Sequence, residues 1–202
     1  MNGVAATSMR EKGLRYAQNF GVELPRLKAI AAEWQPNVDL AQALWHEEIR
    51  ECKILAGLLY PPDAFLPDLA EIWVGEIRNI EIAEMTCLHL FRHLSYAPAL
   101  AFRWISDERE YVQVCGFLLI ARLLTERGAM NERASSEFLD QAVFAFLSGT
   151  YHIRRAVSTA IRRYMQYSEE NAFQVCRQVD RLADSDVEAE QLLYQIVREE
   201  VE

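Results

Sequence analysis

Two carboxylates, Glu81 and Glu84, lie three residues apart in the stretch "RNIEIAEMTCLHLF" at residues 78–91. Such a pair can act as acid and base on a bond to be hydrolysed, or one member can hold negative charge against a cation that forms during a reaction. Ile77, Ile80, Leu88 and Phe91 recur at helical spacing, and Glu84 falls on the same stripe, four residues after Ile80 and four before Leu88. A carboxylate on a buried stripe is costly unless it is paired or has a task. The like charges of Glu81 and Glu84 also repel across one helical turn. The alternative is that Glu84 stands at the rim of a packed face, with its oxygens in water or paired to Arg155 or Arg78.

A second stretch, "YHIRRAVSTAIRRY" at residues 151–164, is cationic. Ile153, Ala156, Val157, Ala160 and Tyr164 form its apolar stripe. His152, Arg155, Thr159, Arg162 and Arg163 fall on another side, with Arg154 close by, and no acidic residue interrupts. Phosphates require only positive charge and reach, and arginine adds a two-pronged fork. The same stretch also reads as a solvated face with salt bridges to Glu169, Glu170 or a neighbouring helix, and both readings stay open here.

Other chemistry is sparser. His89 and His93 have the i, i+4 spacing of metal ligands on one helix, but no HExxH pattern or third ligand accompanies them, so neither a metal site nor a cofactor is expected. Cys52, Cys87, Cys115 and Cys176 are widely spaced, with no CxxC pair, and read as small buried apolar residues.

The elements that must position these residues are helices. The chain has 202 residues, 51% hydrophobic and 25% charged, with only eight glycines and six prolines. No run approaches the ~18 apolar residues of a membrane helix. The segment "MNGVAATSMREKG" lacks the apolar core of a signal peptide, so a cytoplasmic protein with no membrane partner is expected. Net charge is −9, which argues against a nucleic-acid binder basic over its whole surface but not against a local basic face.

Helical periodicity predicts elements at 6–19, 24–34, 38–47, 48–59, 64–77, 79–94, 97–106, 109–126, 132–147, 150–166, 168–182 and 186–199. Turn residues separate them, as in "YPPD" at 60–63 and "SGT" at 148–150, and Asp107, Asn131 and Ser168 are expected as caps. Many medium helices with short connections imply an all-α fold: a single domain over 1–202, a HEAT-like superhelix (α-solenoid) of antiparallel helix pairs, with a concave face for a large ligand.

In order and spacing, these stretches resemble the DNA alkylation repair glycosylase family built of HEAT-like repeats, over roughly residues 20–180. "ELPRLKAIAAEW" is similar to the family's Leu-Arg-Lys-Ile-Ala-type segment. "DLAQALWHEEIRECKILAGLL" is similar to its Leu-Trp and Glu-x-Arg/Lys-x-Leu-Ala pattern, with Trp45, Glu51 and Lys53 in the matching places. "IRRAVSTAIRRY" is similar to a late family helix ending in an Arg-rich turn.

The opening stretch resembles the family's catalytic helix, with its Asn-Trp-Asp-x-x-Asp pattern. Asn79 keeps the first place, Ile80 replaces the aromatic, and Glu81 and Glu84 replace the two aspartates. The resemblance implies binding of double-stranded DNA carrying cationic N3- or N7-alkylated purines, with Glu84 as the catalytic carboxylate that stabilises charge on the sugar and Glu81 beside it. It implies tryptophans beside the lesion's backbone and an arginine contact to phosphate, and the DNA-binding candidates are Arg154, Arg155, Arg162, Arg163 and His152 of the cationic stretch, with Lys53.

Three positions depart from the pattern: Ile80, Val114 in place of a phosphate-contacting arginine, and Thr159 in place of a second pocket tryptophan. The alternative function is a non-catalytic scaffold of the same architecture that binds a protein or a DNA structure. The sequence names no protein partner.

Overall fold

A computed structural model describes residues 3–11 and 16–201. Its contacts divide the chain into two compact units, Met1–Ala97 and Pro98–Glu202. The first holds α1 (Gly3–Glu11), α2 (Leu24–Ala32), α3 (Val38–His46), α4 (Arg50–Leu59), α5 (Pro67–Glu76) and α6 (Ile80–His89). The second holds α8 (Glu110–Arg127), α9 (Glu132–Ser148), α10 (Tyr151–Met165), α11 (Glu169–Val179) and α12 (Glu188–Glu199), and α7 (Ala97–Ile105) leads into it. Among the described residues, the one β-bridge joins Gln18 to Ile49.

The predicted helix at 6–19 is the main correction. Its first part falls in α1, which ends at Glu11; residues 12–15 lie outside the described residues, and the chain from Tyr16 to Phe20 is not helical, with Gln18 bridged to Ile49. The side chains of α4 explain this. Glu51 accepts the amide N–H groups of Phe20 and Val22, each at 3.1 Å. Arg50 donates its own amide to the Gln18 carbonyl at 3.1 Å and its guanidinium to the Val22 carbonyl at 2.8 Å. A helix here would withdraw those backbone groups into its own ladder. Gly21, at φ 69°, makes the turn that a side chain would resist.

In the first unit the core forms around α4, which packs on α2, α3 and α6. Trp45 and Trp73 stack face to face, centroids 4.0 Å apart at 3°, and Tyr60 and Phe65 meet Trp73 edge-on. Aromatic pairs of this kind add roughly 0.5–1.5 kcal/mol beyond their area. In the second unit α8 is buried along most of its length, from Val112 through Leu124, and α10 packs along it. Gly116 permits the contact between α7 and α8, because a Cβ there would lie 2.6 Å from the Ile105 nitrogen.

Asn131 and Ser168 cap α9 and α11 through the amides of Ala134 and Asn171. Asp107 does not cap α8, whose N-cap is Arg109. Its carboxylate instead grips Arg109, accepting from the amide at 2.8 Å and from Nε at 2.9 Å.

Candidate functional site

Helix α6 carries the two candidate carboxylates, and Asn79 starts it by accepting the Ile82 amide at 3.0 Å. Its buried face is not the predicted stripe. The buried residues are Ile82, Ala83, Thr86 and Cys87, whereas Ile80, Glu84 and Leu88 are half-buried. Short side chains decide this: a Cβ on Gly57 of α4 would lie 4.0 Å from the Thr86 backbone, so α6 packs closely through its small residues. Glu84 therefore flanks the core rather than entering it. The helix ends at His89, and Leu90, at φ −128° and ψ −64°, turns the chain into a 3₁₀ segment, Phe91–His93. His89 and His93 thus do not share one helix, and Arg92 donates to His93 at 3.1 Å.

Glu81 is held in a largely buried network. Arg50, 2% exposed, forks onto it with Nε at 2.9 Å and Nη2 at 2.6 Å. The Tyr16 hydroxyl also donates to Glu81, and to Asn79 at 3.2 Å. Glu51, 5% exposed, lies 3.2 Å from the same guanidinium. Burial, reinforced by the Glu81 carboxylate, pushes the Tyr16 phenol far above its ordinary value, so it stays a protonated donor. Burial works against the Arg50 charge, but Glu81 and then Glu51 outweigh it and hold the guanidinium protonated. Composition did not point to Tyr16 and Arg50. The one signal was a charged pair, Arg50–Glu51, within the apolar run "IRECKILAGLL".

Beside this network lies a pocket of about 90 Å³, lined by Tyr16, Trp45, Lys53, Arg78, Asn79 and Ile82 among others. Trp45 is 1% exposed and donates its indole N–H to Glu76 at 2.6 Å. Lys53 is turned to local partners: its ammonium donates to the Trp45 carbonyl at 2.6 Å and pairs with Glu48 at 3.3 Å. Arg78 donates to the carbonyls of Gly75 and Ile77.

The second candidate is α10, in the other unit. Its apolar side is buried as predicted, from Ile153 through Tyr164. Its cations divide by task. Arg154 satisfies the end of α9, donating to the Phe146 carbonyl at 2.9 Å. Arg162 pairs with Glu200, Nε to Oε1 2.8 Å, a close ionic contact without the alignment of a hydrogen bond. His152 lies between Tyr111 and Tyr151, with centroids 5.8 and 5.6 Å away. Arg155, Thr159 and Arg163 are exposed and recur every four residues, which puts them on one face. Thr159 turns its hydroxyl back to the Arg155 carbonyl at 2.9 Å. Val114 on α8 is fully buried, so its position contributes packing only. Among the described residues, no three His, Cys, Asp or Glu side chains cluster as metal ligands.

A family model described as "DNA alkylation repair enzyme" matches residues 2–190. A solved structure from a family of proteins related to the HEAT-like repeat DNA glycosylases, with affinity for branched DNA structures, is similar at TM-score 0.81 and 15% identity. That likeness covers 98% of this chain and 89% of that one. It gives the fold as all-α and HEAT-like. A designed armadillo repeat protein is similar at TM-score 0.41 and 14% identity, over 88% of this chain and 91% of that one. No curated protein matches in sequence.

Proposed function

This chain belongs to the DNA alkylation repair enzyme family, and from that premise we propose that it binds the DNA phosphate backbone through the exposed face of α10 and recognises DNA structure without depending on base removal. The observation that carries this reading is the Arg155–Thr159–Arg163 face, exposed on a helix whose other side is buried. Two guanidinium groups two turns apart, with a threonine between them and no carboxylate in the helix, suit a polyanion. A ligand class is suggested by the solved structure of similar fold, whose family has affinity for branched DNA.

Two features of the first unit favour recognition over excision. Glu81 is committed to Arg50 and Tyr16. Trp45 is closed into an aromatic stack. The test is duplex and junction binding as a function of salt. Each phosphate neutralised steepens the log–log slope by about 0.9. Changing Arg155 and Arg163 together to alanine should weaken binding about tenfold or more and flatten the slope by about 1.8. Binding indifferent to both arginines would shift the reading to a protein-binding scaffold.

The second reading is excision of cationic N3- or N7-alkylated purines, and the partial exposure of Glu84 favours it. Such a base leaves without an acid because the ring already carries the departing charge, so the protein need add only a negative charge near the sugar. On that reading wild type releases 7-methylguanine or 3-methyladenine faster than spontaneous depurination. Glu84→Gln then lowers release by about 10²–10³-fold while DNA affinity holds. Equal release by wild type and Glu84→Gln would remove Glu84 from the chemistry.

A further inference from the structure

We infer that Tyr167 is a stacking residue for an unpaired nucleobase, placed at the end of the α10 arginine face so that the DNA taken is one with bases freed at a branch or gap. The inference rests on the phosphate-binding reading of α10 and specifies its ligand. Arg155, Thr159 and Arg163 are exposed at four-residue intervals, and Tyr167 continues that interval past the helix end at Met165. Steps of four residues advance about 6 Å along a helix. A strand lying against Arg155 and Arg163 therefore arrives at Tyr167 next.

The surroundings of Tyr167 suit a base rather than another phosphate. It lines an open hollow of about 630 Å³ together with Glu126, Gly128, Arg163 and Gln166. Tyr167 is 45% exposed. Its hydroxyl edge lies against Gly128, where a Cβ would stand 3.2 Å from the phenol oxygen, and Gly128 sits at φ +87°. A side chain at 128 would strain that backbone and push the ring away, so the glycine lets the tyrosine rest along the wall. Arg163 is held at the rim by its hydrogen bond to Gln166 Oε1 at 3.1 Å. The Glu126 carboxylate among the lining residues disfavours a second phosphate in the hollow. Every base has a π-face for an aromatic ring, and such stacking is tolerant of sequence. In a fully paired duplex that face is covered by its neighbours, so only DNA with an unpaired base gains from Tyr167.

The test uses the full chain and two probes of equal length: a linear duplex, and a three-way junction with two unpaired bases at the branch, one of them 2-aminopurine. Tyr167→Ala should lower junction affinity by about 5- to 150-fold, the range for one stacked base, and leave linear-duplex affinity unchanged. Tyr167→Phe should restore junction binding. Wild type should quench the 2-aminopurine emission, and Tyr167→Ala should not. Equal loss on both probes, no loss on either, or quenching that survives in Tyr167→Ala would overturn the inference while leaving the phosphate-binding reading intact. If neither probe binds wild type at low salt, the phosphate-binding reading falls first and the stacking role with it.

Discussion

Arginine does opposite things in the two units. In the first, Arg50 is buried to 2% exposure and locked to Glu81, Glu51 and a backbone carbonyl. In the second, Arg155 and Arg163 stand exposed on a helix. The difference lies in what surrounds each charge. Arg50 is adjacent in sequence to one carboxylate and faces another across a helix contact, so its charge is neutralised inside the fold. No carboxylate lies within α10, and Arg162 is paired from another element, by Glu200. A motif of ionisable residues therefore says little about function until its partners are known, and in this protein Glu81, the first carboxylate of the motif that most resembled chemistry, is turned inward.

The largest effect should come from breaking the inward set. Removing one member of a buried charge pair typically costs about 3–5 kcal/mol, because the other is left uncompensated. Arg50→Ala should lower stability by about that much in a denaturant titration. Glu81→Gln should also destabilise, although relief of repulsion from Glu84 alone would have made it neutral or favourable. If Arg50→Ala unfolds no more easily than wild type, the network is not structural and Glu81 returns as a candidate for chemistry.

Next in size is the outward set. The paired Arg155 and Arg163 alanine variant should lose DNA affinity and salt dependence with stability within about 0.5 kcal/mol of wild type, as for surface changes generally. Arg154→Ala sharpens the contrast within one helix. It should cost about 1–3 kcal/mol by stranding the Phe146 carbonyl, with little change in the salt slope. A slope change as large as that of Arg155 would mean the division of labour along α10 is wrong.

The smallest effect concerns Asp107. Hydrogen bonds from Arg109 hold its carboxyl below the usual carboxylate range, outweighing its partial burial. A depressed carboxyl contributes stability above its unfolded value and loses it as pH falls through the folded value. Asp107→Asn should therefore destabilise by about 0.5 kcal/mol at neutral pH, and the difference should vanish in strong acid. Thermal melts of both proteins across acid pH would show it. A gap that persists under strongly acidic conditions would mean the cost is in the turn's shape rather than its charge.

The helices were legible because spacing and caps agree locally. Asn131 and Ser168 announced α9 and α11, and the buried side of α10 followed from Ile153, Ala156, Val157 and Ala160. What failed to show depends on distant partners. The run from Tyr16 to Phe20 looks no less helical than its neighbours, and it is drawn out by Arg50 and Glu51, more than 30 residues away. The face of α6 was misread because large aliphatic residues mark a stripe more loudly than Ala83, Thr86 and Cys87, though the small residues are what permit close packing on Gly57. The resemblance supplied the family, and Asn79, its first motif residue, is visibly an N-cap. That Arg162 and Arg154 are tied down was not readable, since Glu200 and the end of α9 come from other elements.

The stacked Trp45–Trp73 pair also gives the protein an optical signature. Two stacked indoles 4.0 Å apart couple their strong transitions, so the far-ultraviolet circular dichroism should carry an exciton band from the first unit that disappears when that unit opens. Trp104 is fully buried in the second unit, and Trp34 is 60% exposed in the first. Of the chain's four tryptophans, one pair reports by exciton coupling, one by the emission shift of a ring leaving the core, and one as a solvent-facing reference. The melting of each half can thus be followed separately in the unlabelled protein.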